Sequence, residues 1–148
     1  MIMKLLQEDG SLSTRAIAER LGGISKMAVS YRIRRLRRAG LIKGFYARID
    51  PEMLGLGYVI LVLVTCGLSA AREKEIARQI ARFRGVQSVY QTFGPQDIIV
   101  VARVRDKEGA QRLLDEIHTV EGVKHTHTIV VYNVVKESLK VDLDLQAH

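Results

Sequence analysis

From Met53 to Ala71 the chain runs for 19 residues without a charged side chain, "MLGLGYVILVLVTCGLSAA". A stretch of about 20 apolar residues is long enough to cross a bilayer as a helix. Here, however, Gly55, Gly57 and Gly67 punctuate it, and the dense part from Tyr58 to Val64 is rich in Val and Ile. Short β-branched runs of this kind are core strands. Side chains alternate along a strand, so Val59, Leu61 and Leu63 point one way and Tyr58, Ile60, Val62 and Val64 the other. Both faces are apolar, and both must be kept from water.

The rest of the chain supplies cover for one of them. Tyr58 to Cys66 reads as a strand, Glu73 to Phe83 as a helix with Ile76, Ile80 and Phe83 on one side, and Val86 to Phe93 as a second strand. "GPQD" (94–97) is a turn, and Ile98 to Val104 is a third strand. Gly109 to His118 is a helix with Leu113, Leu114 and Ile117 inward, and Val123 to Val135 is a last strand. The order β-α-β-β-α-β is the ferredoxin-like arrangement, with both helices on one face of an antiparallel sheet. The apolar doubling recurs in Ile98, Val100 and Val104 against Ile99 and Val101, and in Ile129 and Val131 against Val130. The face away from the helices is therefore too apolar to be left in water, and a second copy packing sheet on sheet would cover it.

Charge divides the chain differently. Residues 1–50 hold 11 Lys and Arg against 4 Asp and Glu, whereas residues 51–148 hold 12 of each. A neutral part joined to a strongly basic part points to a polyanion as partner for the latter. The basic part reads as short helices. Ile2, Leu5 and Leu6 form an apolar stripe ending at Asp9-Gly10. Ser13 caps a second helix, with Ala16, Ile17 and Leu21 inward, that stops at Gly22-Gly23. Ser25 caps a third, with Val29, Ile33 and Leu36 as its buried stripe. Two helices joined by a glycine turn make a helix-turn-helix, and small Ala18 allows them to approach closely. "IKGFYARI" (42–49) then alternates as a strand before Pro51, which would make the unit winged.

The third helix carries five arginines between Arg32 and Arg38, with no acid between Ser25 and Ile49. At about 100° per residue, Met27, Tyr31, Arg34 and Arg38 lie opposite Val29, and Ser30 and Arg35 flank that face. A helix that merely faces water would mix in acids for i,i+4 pairing. In a helix-turn-helix the N-terminal part of this helix reaches base edges, and cations further along meet phosphates. Lys26, Met27, Ser30, Tyr31, Arg34, Arg35 and Arg38 are thus the candidate contacts to double-stranded DNA.

This order of helices, "RRAGLIKGF", the "IDPEMLG" link and the βαββαβ tail together resemble the Lrp/AsnC family of prokaryotic transcriptional regulators over nearly the whole chain. The resemblance implies an α+β protein: a winged helix-turn-helix over 1–50, a linker over 51–56, a ferredoxin-like domain over 57–136 and a C-terminal tail over 137–148. It also implies a homodimer, a higher assembly such as an octamer, and an amino acid or related effector bound between C-terminal domains. Effector contacts would fall on Gly94, Gln96 and Asp97 and on His125, Thr126 and Thr128. The turn "GGIS" is one residue longer than the usual "GLS", and Pro95 stands where the family commonly has an acid, removing a carboxylate and an N–H.

Other functions find less support. An RNA-binding domain of this topology needs aromatic residues on its central strands, and "IIVVARV" has none. A small-molecule-binding protein without a DNA target would leave the arginine helix unexplained. No nucleophile–base pattern, phosphate-binding glycine loop or cofactor motif points to an enzyme. His125 and His127 share a strand face, but zinc needs at least a third ligand. Cys66 is alone in an apolar stretch, which favours a buried thiol and the cytoplasm.

Overall fold

The first 49 residues fold around a small core of their own, and the segment from Glu137 onward packs into the same unit; Asp50–Lys136 forms the other. The structure is a computed structural model that describes residues 1–67 and 69–146. In the first unit α1 (Ile2–Glu8), α2 (Thr14–Arg20) and α3 (Lys26–Arg38) bury Ile2, Leu6, Ile17, Ala18 and Val29, with Ile33, Leu36 and Ile42 packed against them. Both capping serines do their expected work. Ser13 Oγ accepts from the Ala16 N–H and Ser25 Oγ from the Ala28 N–H, each at 3.1 Å, satisfying one of the orphan donors of each helix start. Between α2 and α3, Gly22 and Gly23 have φ of 81° and 83°. This left-handed pair is open to glycine and costly for other residues, so it fixes the turn.

The second unit is a four-stranded sheet in the order β2-β3-β1-β4, built from β1 (Tyr58–Thr65), β2 (Val86–Gln91), β3 (Ile98–Val104) and β4 (His125–Val131). All its pairings are antiparallel. Two helices, α4 (Ala70–Ile80) and α5 (Lys107–His118), cover one face. Beneath them lie Ile60, Val62 and Val64 of β1 and Ile98, Val100 and Ala102 of β3, with Ile76, Ile80, Leu113 and Ile117 from the helices. In the ladder Leu61 sits between Val101 and Ile129, Leu63 between Ile99 and His127, and Val59 between Arg103 and Val131. These residues make the other face. Leu61, Leu63, Ile99, Val101 and Val131 are half-buried and Ile129 is exposed. The two apolar faces expected of β1 thus separate into one under the helices and one that is buried at Val59 and Arg103 but left partly open around Leu61 and Leu63.

Several boundaries move, each for a local reason. The α4 helix begins at Ala70 rather than Glu73 and ends before Phe83, which instead packs on the core from the following turn. The α5 helix begins at Lys107 because Asp106 caps it, its carboxylate accepting from the Gly109 N–H at 2.7 Å. The last strand is shorter than Val123–Val135: its ladder ends where Val131 meets Val59, one residue from the start of β1. Beyond that point only Tyr58 of β1 remains, too little to carry the ladder on to Val135. Gly85 is pinned by close approach, its φ being 88° and any Cβ there lying 2.7 Å from the Arg103 carbonyl oxygen.

The expected strand at "IKGFYARI" is a correction. Residues 42–50 join no ladder, and the sheet contains only β1 to β4. Alternation gives a segment the shape of a strand, but a strand needs a partner for its N–H and C=O groups. This stretch is instead anchored by side chains: Ile42 packs on the core of the first unit, and Phe45 lies so close to Gly10 that a Cβ there would sit 3.2 Å from its ring.

Candidate nucleic-acid interface

Val29, the only residue of α3 with no exposed surface, fixes which side of the helix faces out. On the outer side Met27 is 74% and Tyr31 60% exposed, far more than large apolar side chains usually are in a core-facing helix. Lys26, Arg34, Arg35 and Arg38 are exposed and Ser30 is half-buried beside them. Tyr31, Arg34, Arg35 and Arg38 line one shallow recess on this face. All seven sequence-predicted DNA contacts therefore lie on a single helix, and the reading of its faces from periodicity holds. Arg32 and Arg37, nearer the core edge, are exposed as well.

Electrostatics sharpen the picture. Ion pairs among the described residues include Lys4–Asp144, Arg15–Glu19, Arg72–Glu121 and Arg78–Glu75, and none of these draws on an α3 arginine. Five guanidinium groups within two turns thus repel one another, and none of them shares in these ion pairs. Such an array attracts a polyanion, whose phosphates can take bidentate hydrogen bonds from arginine.

The candidate effector residues come together at one end of the sheet. The β2–β3 turn leads into Asp97, next to Ile98, which pairs with Val64; on the other side of β1, Val64 pairs with Thr126 and Thr65 with His125. Gly94, Gln96 and Asp97 on one side and His125 and Thr126 on the other are therefore separated by the width of one strand, and Thr128 lies one step further along. Asp97 is heavily engaged: its N–H donates to the Val64 carbonyl at 3.0 Å and its carboxylate accepts from the Cys66 N–H at 2.6 Å. Thr92 closes the turn, its N–H donating to the Asp97 carbonyl at 2.9 Å and its hydroxyl to the Gln96 carbonyl at 2.6 Å. His118, which no sequence pattern singled out, meets the Thr126 hydroxyl at 2.8 Å from α5. That pairing puts Thr126 on the helix side of β4, while His125 and His127 take the open side.

Burial pushes the Cys66 thiol above its ordinary pKa, with the Asp97 and Glu73 carboxylates adding in the same direction. The thiolate is the reactive form, so the native protein is expected to resist thiol reagents near neutral pH. Timed alkylation with mass detection, with and without denaturant, checks this; fast labelling of the native protein would contradict it.

Two protein-family models match the chain: "winged helix-turn-helix DNA-binding" over residues 1–43 and "Lrp/AsnC ligand binding domain" over residues 59–141. The HTH-type transcriptional regulator FL11 of Pyrococcus furiosus is 34% identical over 140 residues, covering 95% of this chain and 91% of that protein. Its counterpart in Pyrococcus horikoshii is 35% identical over 142 residues, covering 96% and 92%. Among solved structures, the feast or famine regulatory protein of M. tuberculosis complexed with L-methionine superposes with a TM-score of 0.84 at 26% identity, over 95% of this chain and 93% of that one. No helix among the described residues is long and apolar enough to cross a membrane. With matched models spanning both units and relatives above 30% identity over almost its whole length, the chain belongs to the Lrp/AsnC family of DNA-binding transcriptional regulators.

Proposed function

We propose that this protein is a sequence-specific regulator that reads duplex DNA in the cytoplasm with α3, acts as a homodimer or larger assembly such as an octamer, and responds to an amino acid or a related small effector. The observation that carries the reading is the outer face of α3: seven exposed or half-exposed candidate contacts, with none of its arginines in the ion pairs found among the described residues. In this reading Met27, Ser30 and Tyr31, with Lys26 at the helix start and Arg34 following, meet base edges in the major groove. Arg35 and Arg38 follow at the phosphate end. The uncovered sheet face around Leu61 supports a second copy as partner, since two linked reading heads gain affinity from effective concentration.

An effector site over Gly94, Gln96, Asp97, His125, Thr126 and Thr128 is supported by their gathering at one end of the sheet and by the L-methionine complex of the mycobacterial relative. Because Asp97 already holds the end of β1, the half-buried Gln96 and the exposed His125 are the freer ones for a ligand.

Titration of purified protein with duplex DNA, single-stranded RNA and a panel of amino acids tests the whole reading. Duplex binding that weakens steeply with salt is expected, and equal or tighter binding to RNA would overturn it. Replacing Ser30 or Tyr31 by alanine is expected to change the preferred sites in a selection experiment more than it changes affinity for random duplex. A wrong base pair typically costs about 1–3 kcal/mol, and that discrimination is what these substitutions remove. Identical selected sites for wild type and variants would mean that α3 enters the groove by another face.

A further inference from the structure

Residues 141–144 are held against α1. Beyond Glu137 the chain returns to the helix-turn-helix unit and lies along the outer edge of α1. Lys4 and Gln7, three apart and so on one edge of that helix, both hold it. The Gln7 carboxamide makes a two-point grip on the main chain of Val141: its Nε2 donates to the carbonyl at 2.9 Å and its Oε1 accepts from the N–H at 2.7 Å. One short turn further, Asp144 pairs with the Lys4 ammonium at 2.5 Å, which raises the Lys4 pKa through that hydrogen bond. Asp144 is itself set in place by its N–H donating to Asp142 Oδ1 at 2.9 Å. Leu143 is half-buried between these contacts, and together they enclose a recess with Glu8 and Lys140.

The helix so held is weak by itself. It has seven residues, Met1 at its N-cap position makes no side-chain hydrogen bond, and its first turn carries no acid to favour the helix dipole. Helices this short are not stable alone in water and depend on packing. Its inner side supplies Ile2 and Leu6 to the same small core that receives Val29 of α3. Whatever orders α1 therefore also steadies the seat of α3.

We propose that residues 139–144 form an intramolecular strap, gripped by Gln7 and Lys4, whose docking orders α1 and thereby sets how firmly the helix-turn-helix binds its nucleic acid. The second half rests on the DNA-binding reading above; the first half does not. The strap is a two-state element, docked or free, and it follows β4 in sequence, the strand that opens with His125, Thr126 and Thr128. Any ligand that favours one state shifts the other end of the coupling by the same factor.

Hydrogen exchange of the full-length protein without DNA reads the first half. In Gln7→Ala and in a chain stopped after Ser138, the peptide covering α1 is expected to exchange about tenfold faster, the scale of two lost hydrogen bonds at the surface. The charge-exchanged pair Lys4→Asp with Asp144→Lys is expected to regain protection lost in Asp144→Lys alone. Equal α1 exchange in wild type, Gln7→Ala and the shortened chain overturns the strap. The second half is read as duplex affinity, expected to fall about threefold to tenfold in both variants as the fraction with an ordered α1 shrinks. Unchanged affinity alongside faster α1 exchange overturns the coupling. Loss of duplex binding by wild type itself would instead indict the DNA reading, because α1 protection is measured without DNA.

Discussion

Alanine at Arg34, Arg35 and Arg38 together is expected to reduce duplex binding to a small remnant while leaving the fold intact. All three side chains are exposed and none takes part in an ion pair among the described residues, so their removal strands no buried partner. Surface substitutions of that kind usually change stability by less than about 0.5 kcal/mol. On DNA each phosphate contact releases condensed counterions and contributes about 0.9 to the slope of log affinity against log salt. Losing the two phosphate contacts of Arg35 and Arg38 would flatten the slope by about 1.8, and the affinity loss would be largest at low salt. Binding isotherms at several salt concentrations, with circular dichroism as the folding check, measure both. An unchanged slope in the triple variant would show that this face is merely solvated.

A single acid in the uncovered sheet face is expected to take the assembly apart. Leu61 lies at its centre, flanked in the ladder by Val101 and Ile129, and stays half-buried in one chain. Covering a leucine fully is worth roughly 1.5–3 kcal/mol, and in a two-fold dimer each substitution counts twice. Leu61→Glu adds the cost of desolvating a carboxylate without a partner, so dissociation should weaken the complex by at least about a hundredfold, or 2.7 kcal/mol. Sedimentation at micromolar concentration should then show monomer where wild type shows dimer or larger. The unit Asp50–Lys136 alone is expected to remain associated and to bind no DNA, since it keeps this face and lacks α3. A soluble, folded monomer of that unit would mean the face is not an interface between copies.

Both predictions use features that were legible in the sequence, and for a common reason. Helix faces and strand faces follow from periods of about 3.6 and 2, so Val29 inward with Tyr31 outward, or Ile60 against Leu61, needs only neighbours along the chain. Caps are equally local: Ser13 and Ser25 act on N–H groups three residues ahead. The doubled apolar pattern of β1 already demanded a second cover. The gathering of Asp97 and His125 at one end of the sheet was harder to read, because it depends on β1 pairing with both β3 and β4. The resemblance to a family with that topology made it an expectation.

By itself, then, the sequence determined the helices, the four strands of the sheet, their inward faces and the basic face of α3. Only the tertiary structure decided what depends on partners distant in the chain. Alternation in "IKGFYARI" could not say whether another strand would lie beside it, and within one chain none does. Nothing in "KVDLD" announced that Val141 would be held by Gln7, 134 residues away, or that Asp144 would find Lys4. Nor did the pattern pick out His118 for Thr126. Local preference limits the shape a segment takes, whereas hydrogen-bond partners across the chain are chosen by which surfaces packing brings together.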